Sequence, residues 1–164
     1  MTNKFRLLVL SLLFAPLVSF SEDYVSAHID ACNAGDAKEC SKVATMYELA
    51  LGVKDDMLMA FNFYKKSCDG DIAKDCTHLG DFYLMGAGTD KDPVLAREFY
   101  LKGCSLAHAE GCRNSGYMNE LGEGGATDLN KALEFFKKAL DLDLKDAASD
   151  IERVKAKLQN WYYD

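Results

Sequence analysis

Apolar and small side chains recur along the chain at the spacing of an α-helix. In one stretch, about Ala73 to Met85, they fall three and four residues apart and would share one face of a helix. The next stretch, about Pro93 to Cys104, has apolar residues at positions i, i+3 and i+4, which indicates a second helix with one buried face. The face positions are Cys76, Leu79, Gly80 and Tyr83 in the first helix and Ala96, Phe99 and Tyr100 in the second.

The segment between these two helices carries a stop signal and a start signal. Gly88 is expected to end the first helix, because glycine readily adopts the left-handed conformation that follows a helix C-terminus. Asp92 is expected to cap the second helix, and Pro93 suits the first helical position. The pattern therefore predicts a unit of two helices joined by a short loop.

The same unit returns at a period of 36 residues. A fixed period in this range is typical of a repeat architecture in which stacked units share one core. The cysteines place the repeats at about 32–67, 68–103 and 104–139. The positions in register are Cys32, Cys68 and Cys104; Cys40, Cys76 and Cys112; Ala37, Ala73 and Ala109; Ala44, Gly80 and Gly116; Gly52, Gly88 and Gly124; Asp56, Asp92 and Asp128; and Phe63, Phe99 and Phe135.

A fourth unit, residues 140–164, lacks the cysteines and has Leu140 and Ala148 in their places. An atypical terminal unit is expected to cap the stack. Its helix, about Asp146 to Tyr162, has an apolar face that would cover the last repeat. The residues of this face are Ile151, Val154, Leu158 and Trp161.

The six cysteines form three pairs with seven residues between the two members. On one straight helix the members would be about 12 Å apart, whereas a disulfide needs Cα atoms about 4.4–6.8 Å apart. The chain must therefore reverse between bonded members, and Asp69-Gly70-Asp71 is a turn signal. Fifteen connectivities are open to six cysteines. The local pairing respects the repeat: Cys32–Cys40, Cys68–Cys76 and Cys104–Cys112.

These bridges are expected to be structural staples between successive units. Each would close a loop of about nine residues and stabilise the fold by roughly 2–3 kcal/mol in the chain-entropy model. The alternative role, redox catalysis, usually needs two closer cysteines with a lowered thiolate pKa, as in C-x-x-C.

The length, the charge and the N-terminal segment narrow the class of protein further. A chain of 164 residues makes roughly one domain, and a net charge of −7 without a basic stripe disfavours nucleic acid as a partner. Residues 1–21 resemble a secretory signal peptide: Lys4 and Arg6 precede an apolar run, and Ser19 and Ser21 suit a cut before Glu22.

Cleavage would leave residues 22–164 as the mature domain, lowering the net charge from −7 to −9 because Lys4 and Arg6 are lost. An uncleaved membrane anchor is the alternative, but the run is short for a span. We therefore expect an exported protein that lies in the periplasm or outside the cell. After cleavage it would have no membrane attachment. Disulfides persist in those compartments.

The segment from Leu79 to Cys104 resembles a Sel1-like repeat, a relative of the tetratricopeptide repeat. The marks are LG-x-x-Y-x-x-G-x-G, the capped helix D-x-x-x-A-x-x-x-Y and the length of the unit. The C-x7-C pairs and the export signal make the chain similar to the Helicobacter cysteine-rich protein type. Ala44 replaces the mid-helix glycine in the first unit, and Asn119 replaces an aromatic residue in the third.

The resemblance implies an all-α fold, a right-handed αα-superhelix or solenoid with a concave face. It also implies secretion and penicillin binding, often with a β-lactamase label. Two functions follow as expectations. The first is a module that binds a protein, a peptide or a cell-wall (peptidoglycan) fragment, and the alternative is a β-lactamase or penicillin-binding protein acting on β-lactams.

The sequence shows no catalytic machinery for the alternative. No serine has a lysine three positions later, which the usual serine β-lactamases require, and there is no G-x-S-x-G. The three histidines, His28, His78 and His108, are far apart in sequence, and the cysteines are expected to be bridged. No metal, no cofactor and no catalytic residue are therefore predicted.

The binding surface is expected on the first helix of each repeat, which lines the groove in helical repeats. Candidate side chains stand three residues apart there and differ between repeats. An unconstrained surface would vary in the same way, and this alternative remains open. A second open alternative is an aromatic binding tail at Trp161, Tyr162 and Tyr163. The candidates are Lys42, Thr45, His78, Asp81, Asn114 and Tyr117.

Overall fold

The structure is a computed structural model that describes the backbone of residues 16–161 and the side chains of residues 23–160. This part of the chain contains eight helices and no strand. The helices are α1 (Pro16–Asn33), α2 (Ala37–Glu48), α3 (Met57–Asp69), α4 (Ala73–Met85), α5 (Pro93–Ser105), α6 (Ala109–Leu121), α7 (Leu129–Asp141) and α8 (Ala147–Trp161).

The helices pack as a row of hairpins. The repeated hairpins are α2–α3, α4–α5 and α6–α7, and each also packs on its neighbours in the row. Helix α1 packs on α2 at one end and α8 packs on α7 at the other, while α4 also touches α6. The all-α solenoid expected from the sequence is confirmed.

The second helix of every hairpin begins where the sequence predicts it. The side chains of Asp56, Asp92 and Asp128 each accept a hydrogen bond from a backbone N–H in the first turn of α3, α5 and α7. Such a cap satisfies donors that have no partner within the helix. The first helices α4 and α6 begin without a side-chain cap. Their position is set by packing and by the disulfide close to their start.

The predicted helix stop at Gly88 is wrong. Helix α4 ends at Met85 and is capped by Gly86, which is left-handed with φ 75°; α6 ends at Leu121 and is capped in the same way by Gly122 with φ 73°. Gly88 makes a different contact: a Cβ there would lie 2.2 Å from the carbonyl oxygen of Met57. The glycine therefore lets the loop of one repeat rest on the first turn of the preceding repeat's second helix.

The core consists of aromatic rings that fill the space left by small residues. A Cβ on Gly80 would lie 2.5 Å from the Tyr100 ring, and one on Gly116 would lie 2.6 Å from the Phe136 ring. Both rings are at most 2% exposed. The recurring aromatic positions therefore serve packing, as the sequence indicated.

Three disulfides join the hairpins. The bonds are Cys32–Cys40, Cys68–Cys76 and Cys104–Cys112, with Cα–Cα distances of 4.6, 4.7 and 4.3 Å. Each connects the last turn of one second helix to the first turn of the next first helix. All six cysteines are at most 3% exposed. The chain reverses between the members of each pair, as the distance argument requires.

The fourth unit is a single helix that covers the end of the row. Ile151 and Val154 of α8 are buried, and Leu158 packs partly buried against the same cluster. The side chain of Trp161 and residues Tyr162 and Tyr163 lie outside the described part, so the aromatic tail stays a prediction.

The predicted signal peptide, residues 1–21, lies mostly outside the described residues. Only the backbone of its last six residues is described, as the start of α1. No helix in the described part of the chain is long and apolar enough to cross a membrane.

Candidate functional site

A polar cleft lies between the first helices of the second and third repeats. Its volume is about 310 Å³, and side chains of α4 and α6 and the residue that precedes α6 form its wall. Most of these side chains are at least partly exposed, so they are available to a ligand. The lining residues are Lys74, Thr77, His78, Asp81, His108, Glu110 and Asn114.

Helix α4 contributes a histidine and a carboxylate one turn apart. The hydroxyl of Tyr100 donates a hydrogen bond of 2.7 Å to Asp81 Oδ1. The other oxygen, Oδ2, lies 3.6 Å from His78 Nδ1. Because Tyr100 is itself packed in the core, its bond holds the Asp81 carboxylate in one orientation at the edge of the cleft.

His78 is surrounded by negative charge and an aromatic ring. The Asp81 carboxylate raises the pKa of His78, and Glu48 and Asp75 act in the same direction against the opposing effect of burial. The Tyr64 ring lies 5.2 Å from the imidazole, centroid to centroid. Protonation of His78 would therefore change the charge at the centre of the first-helix face, the surface formed by α2, α4 and α6.

The opposite wall is held by a hydrogen bond across the repeat junction. His108 Nδ1 and Thr77 Oγ1 are 2.9 Å apart. The Thr77 hydroxyl fits there because Gly103 and Gly111 lack side chains: a Cβ would lie 2.2 Å and 2.7 Å from Oγ1, respectively. His108 Nε2 lies 3.2 Å from Glu110 Oε2, so the histidine connects α4 to the first turn of α6.

A buried carboxylate lies behind the Lys74 end of the cleft. Asp75 has no exposed surface, and its Oδ2 accepts a short hydrogen bond from the Ser67 hydroxyl. Its Oδ1 has no hydrogen-bond partner and lies 4.0 Å from Lys74 Nζ. In the described part of the chain, Lys74 is the lysine or arginine that comes within 4.0 Å of this carboxylate, and its side chain is 60% exposed.

The structure brings together only some of the candidate groove residues. His78, Asp81 and Asn114 line the same cleft, whereas Lys42, Thr45 and Tyr117 do not. Lys42 is exposed on α2 and its Nζ lies 2.7 Å from Glu39 Oε1. Thr45 donates to the carbonyl oxygen of Ser41, a hydrogen bond within its own helix.

Tyr117 belongs to an ionic network that fixes the capping helix. Its hydroxyl donates a 2.9 Å hydrogen bond to Asp150, which also accepts bonds of 2.6 Å from Arg113 and from Arg153. Both guanidinium groups lie over the Tyr117 ring, at 5.3 and 5.5 Å from its centroid. Burial disfavours the charged form of Asp150, but these bonds outweigh it and lower the pKa of Asp150.

A second buried carboxylate completes this network. Glu120 is 6% exposed and accepts hydrogen bonds from Arg153 and Lys157 of α8. The bond from Arg153 is the main cause of a lowered pKa of Glu120. The first-helix face is therefore closed at α8 by paired charges, whereas the partly exposed polar groups of the cleft lie between α4 and α6.

Sequence reasoning missed four of the seven lining residues: Lys74, Thr77, His108 and Glu110. They lie near the starts of α4 and α6, whereas the sequence predicted groove residues in the middle of the first helices. Gly103 and Gly111 each directly precede one cysteine of the third pair, and they are the signal that could have revealed the close contact of Thr77 with the next repeat.

The cleft is not arranged as a metal centre. Among the described side chains, no three His, Cys, Asp or Glu residues lie close enough together to hold one metal ion. The groups that are present suit hydrogen bonding and charge pairing with an organic ligand.

The chain is built of stacked αα-hairpins that repeat every 36 residues and are joined by disulfides at their junctions, with a cleft between two first helices. This architecture defines a helical-repeat protein. The family model of the Sel1 repeat matches residues 40–71, 73–108 and 109–144, and the chain belongs to this family. The search of curated proteins finds no match.

Solved structures of other Sel1-type proteins are similar. Cysteine rich protein B of Helicobacter pylori is 25% identical, with a TM-score of 0.63, and the match covers 82% of this chain and 97% of that one. A Sel1 repeat protein from Oxalobacter formigenes is 26% identical with a TM-score of 0.70, covering 72% of this chain and 49% of that one.

A protective antigen of uropathogenic Escherichia coli with an SLR fold, 24% identical and with a TM-score of 0.76, shares the fold. That match covers 79% of this chain and 28% of the antigen. The chain thus matches about half of the Oxalobacter protein and less than a third of the antigen, but nearly all of the Helicobacter protein.

Proposed function

We propose that this chain is an exported binding module that holds a protein or peptide ligand on the first-helix face of its solenoid. The observation that carries the proposal is the cleft between α4 and α6. Most of its polar side chains are at least partly exposed. These side chains also differ between the repeats: the position of His78 is occupied by Lys42 and Asn114, and that of Asp81 by Thr45 and Tyr117.

The rest of the molecule supports a binding role. Stacked repeats hold their first helices side by side without large rearrangement, which keeps the ordering cost of binding low. Disulfides at the junctions restrain the relative positions of the hairpins. The match to cysteine rich protein B of Helicobacter pylori covers 97% of that protein.

Export is part of the proposal. The three disulfides fit an oxidising compartment, since such bonds are rare in the cytosol. The N-terminal segment resembles a signal peptide, with the cut before Glu22. Periplasm and culture medium are both consistent with this chemistry.

The binding proposal is tested by capture with matched variants. Oxidised residues 22–164 are immobilised and exposed to solubilised envelope and to medium from the source cells. We expect a ligand that is retained by the wild-type chain and lost from His78→Ala/Asn114→Ala. The control is Asn62→Ala/Lys65→Ala, because these side chains are exposed on a second helix, α3, away from the cleft.

A ligand that the cleft variant and the control retain equally would contradict binding on the first-helix face. Peptidoglycan fragments and benzylpenicillin, the other ligands that the resemblance implies, are added as competitors in the same assay. Displacement by either one would identify the ligand class directly.

The hydrolase alternative rests on the resemblance alone. The cleft has a histidine–carboxylate pair but no serine among its lining residues. We expect purified oxidised protein to leave a chromogenic β-lactam unhydrolysed above the buffer rate. Steady turnover that disappears in His78→Ala would replace the binding proposal with an enzymatic one.

A further inference from the structure

Two carboxylates in the cleft lack a lysine or arginine partner. Asp81 on α4 and Glu110 on α6 have side chains that are 36% and 58% exposed. In the described part of the chain, the basic groups beside them are histidines, His78 for Asp81 and His108 for Glu110. Because an imidazole is charged only when it is protonated, neither carboxylate has the permanently charged partner that a lysine or arginine would provide.

The lysine of the cleft is already used by another acid. Lys74 Nζ lies 4.0 Å from Asp75 Oδ1, an oxygen that is buried and has no hydrogen-bond partner. Asp75 is fully buried, so its charge needs compensation more than the exposed carboxylates do. The ammonium of Lys74 is therefore shared with Asp75, and in the described structure it makes no ion pair with Asp81 or Glu110.

The remaining groups prepare the cleft for a donor-rich ligand. Tyr100 holds Asp81 Oδ1 by a 2.7 Å hydrogen bond, so this carboxylate needs little reorganisation when a cation arrives. Asn114 adds a neutral amide that can accept a further hydrogen bond. Preorganised acceptors on two helices suit a group with several N–H donors.

The repeats differ at this position, although on the α2 side Glu48 likewise accepts a hydrogen bond from the core tyrosine Tyr64. The positions that match Asp81 are Thr45 and Tyr117, neither of which is acidic. Asp150, one repeat beyond Asn114, is neutralised by bonds of 2.6 Å from Arg113 and from Arg153. A cavity with two carboxylates whose basic neighbours are histidines is described at the α4–α6 junction.

We propose that this cleft accepts the ammonium or guanidinium group of a lysine or arginine side chain in the bound peptide. The inference rests on the proposed function and names the ligand chemistry of the same site. A volume of about 310 Å³ accommodates one long side chain, with its charged end between Asp81 and Glu110. Charge-assisted hydrogen bonds to both carboxylates would hold it.

The test is a titration followed by NMR amide shifts of the oxidised mature chain. The probes are four blocked peptides, Gly-Ser-X-Ser-Gly, in which X is lysine, arginine, norleucine or glutamate. We expect the lysine and arginine peptides to shift the amide signals of residues 74–81 and 108–114. The norleucine peptide, which has similar apolar length without charge, and the glutamate peptide are expected to leave them unchanged.

Single substitutions assign the effect to the two carboxylates. Asp81→Asn keeps an acceptor for Tyr100, and Glu110→Gln keeps the side-chain shape, so both variants should fold. Each is expected to weaken binding of the lysine peptide about tenfold. Glu134→Gln removes the same charge from an exposed position on α7 and is expected to change nothing.

Three results would overturn the inference: equal binding of the lysine and norleucine peptides, preference for the glutamate peptide, or an Asp81→Asn variant that binds like the wild type. Absence of any shift with all four peptides would overturn it as well. If, in that case, ligand capture still depends on His78 and Asn114, the proposed binding function would remain supported, and only the proposed cation site would be wrong. The two proposals therefore fail separately.

Discussion

At the residue scale, glycines and aromatic rings fit each other in pairs that recur from repeat to repeat. Gly80 faces the Tyr100 ring and Gly116 faces the Phe136 ring, each at a distance that leaves no room for a Cβ. The first repeat has Ala44 at this position, and it is fully buried there. A methyl group is therefore accepted in one repeat and excluded from two.

Gly80→Ala is expected to destabilise the protein by about 1–3 kcal/mol, because the added Cβ would overpack against a ring that is 2% exposed. Urea unfolding of the oxidised protein measures the change. The matched control is Ala44→Gly, which removes a methyl group at the equivalent position and is expected to cost about 1 kcal/mol through helix propensity. A Gly80→Ala variant as stable as the wild type would show that Tyr100 moves freely.

Asn119 shows how one residue departs from the repeat without loss of order. Its counterparts Tyr47 and Tyr83 stack on Phe63 and Phe99, with ring centroids 5.8 and 5.4 Å apart. Asn119 is 1% exposed and is satisfied by polar bonds to the Arg97 guanidinium and the Ser115 carbonyl oxygen. The sequence revealed the departure, but a partner 22 residues away could not be read from the repeat register.

At the scale of the helices, periodicity predicted the elements well because the same local signals occur three times. Helix α4 spans Ala73–Met85 as expected, and α5 extends one residue beyond the expected Cys104. The cleft was harder to predict, because it depends on how far α6 lies from α4. Periodicity assigns residues to helix faces but does not give distances between helices, so His108 and Glu110 were missed.

The disulfides give a prediction at this scale. Peptide mapping without reduction is expected to show only the linkages 32–40, 68–76 and 104–112. The double variant Cys68→Ser/Cys76→Ser is expected to lose roughly 2–3 kcal/mol of unfolding free energy, because the unfolded chain regains the entropy of an open loop. Reduced wild-type protein serves as the comparison. Any linkage between different pairs would contradict the hairpin arrangement.

The attachment of α8 is expected to weaken in acid. The folded-state pKa values of Glu120 and Asp150 are lowered, so their contribution is present above the ordinary carboxyl range of about 4 and is lost as pH falls through the lowered values. The protection factors of the amides of residues 147–160, which correct for the slower intrinsic exchange in acid, should therefore fall as the pH drops below about 4. In the Glu120→Gln variant, the protection of these amides should depend less on pH. A pH profile of protection identical to that of the wild type would contradict the role of this carboxylate.

At the scale of the whole molecule, the row of hairpins has two different ends. The first end is α1, which packs on α2 and is bonded to it through Cys32 and Cys40. The other end is α8, which has no disulfide and is held by the ionic network and by apolar contacts of Ile151 and Val154. Covalent restraint is therefore replaced by charge pairing at the C-terminal cap.

Export is expected to remove the N-terminal segment and to be required for disulfide formation. Expression of residues 1–164 in a bacterial host should give a mature product outside the cytoplasm that begins at Glu22, as shown by N-terminal sequencing and fractionation. The comparison is a chain that begins at residue 22 and stays in the cytoplasm, where free thiols should be detected by alkylation. A full-length product retained in the cytoplasm with reduced thiols would contradict export.

The placement of the disulfides also determines how the chain responds to a protease. A cut between Cys68 and Cys76 leaves both fragments covalently attached, because the bond spans the cleaved loop. A cut in a loop inside a hairpin, such as residues 86–92, separates two fragments that no disulfide connects. The loops between hairpins can therefore be cut without separating the chain. The loops within hairpins have no such protection, and their resistance to proteases depends on close packing, as at Gly88.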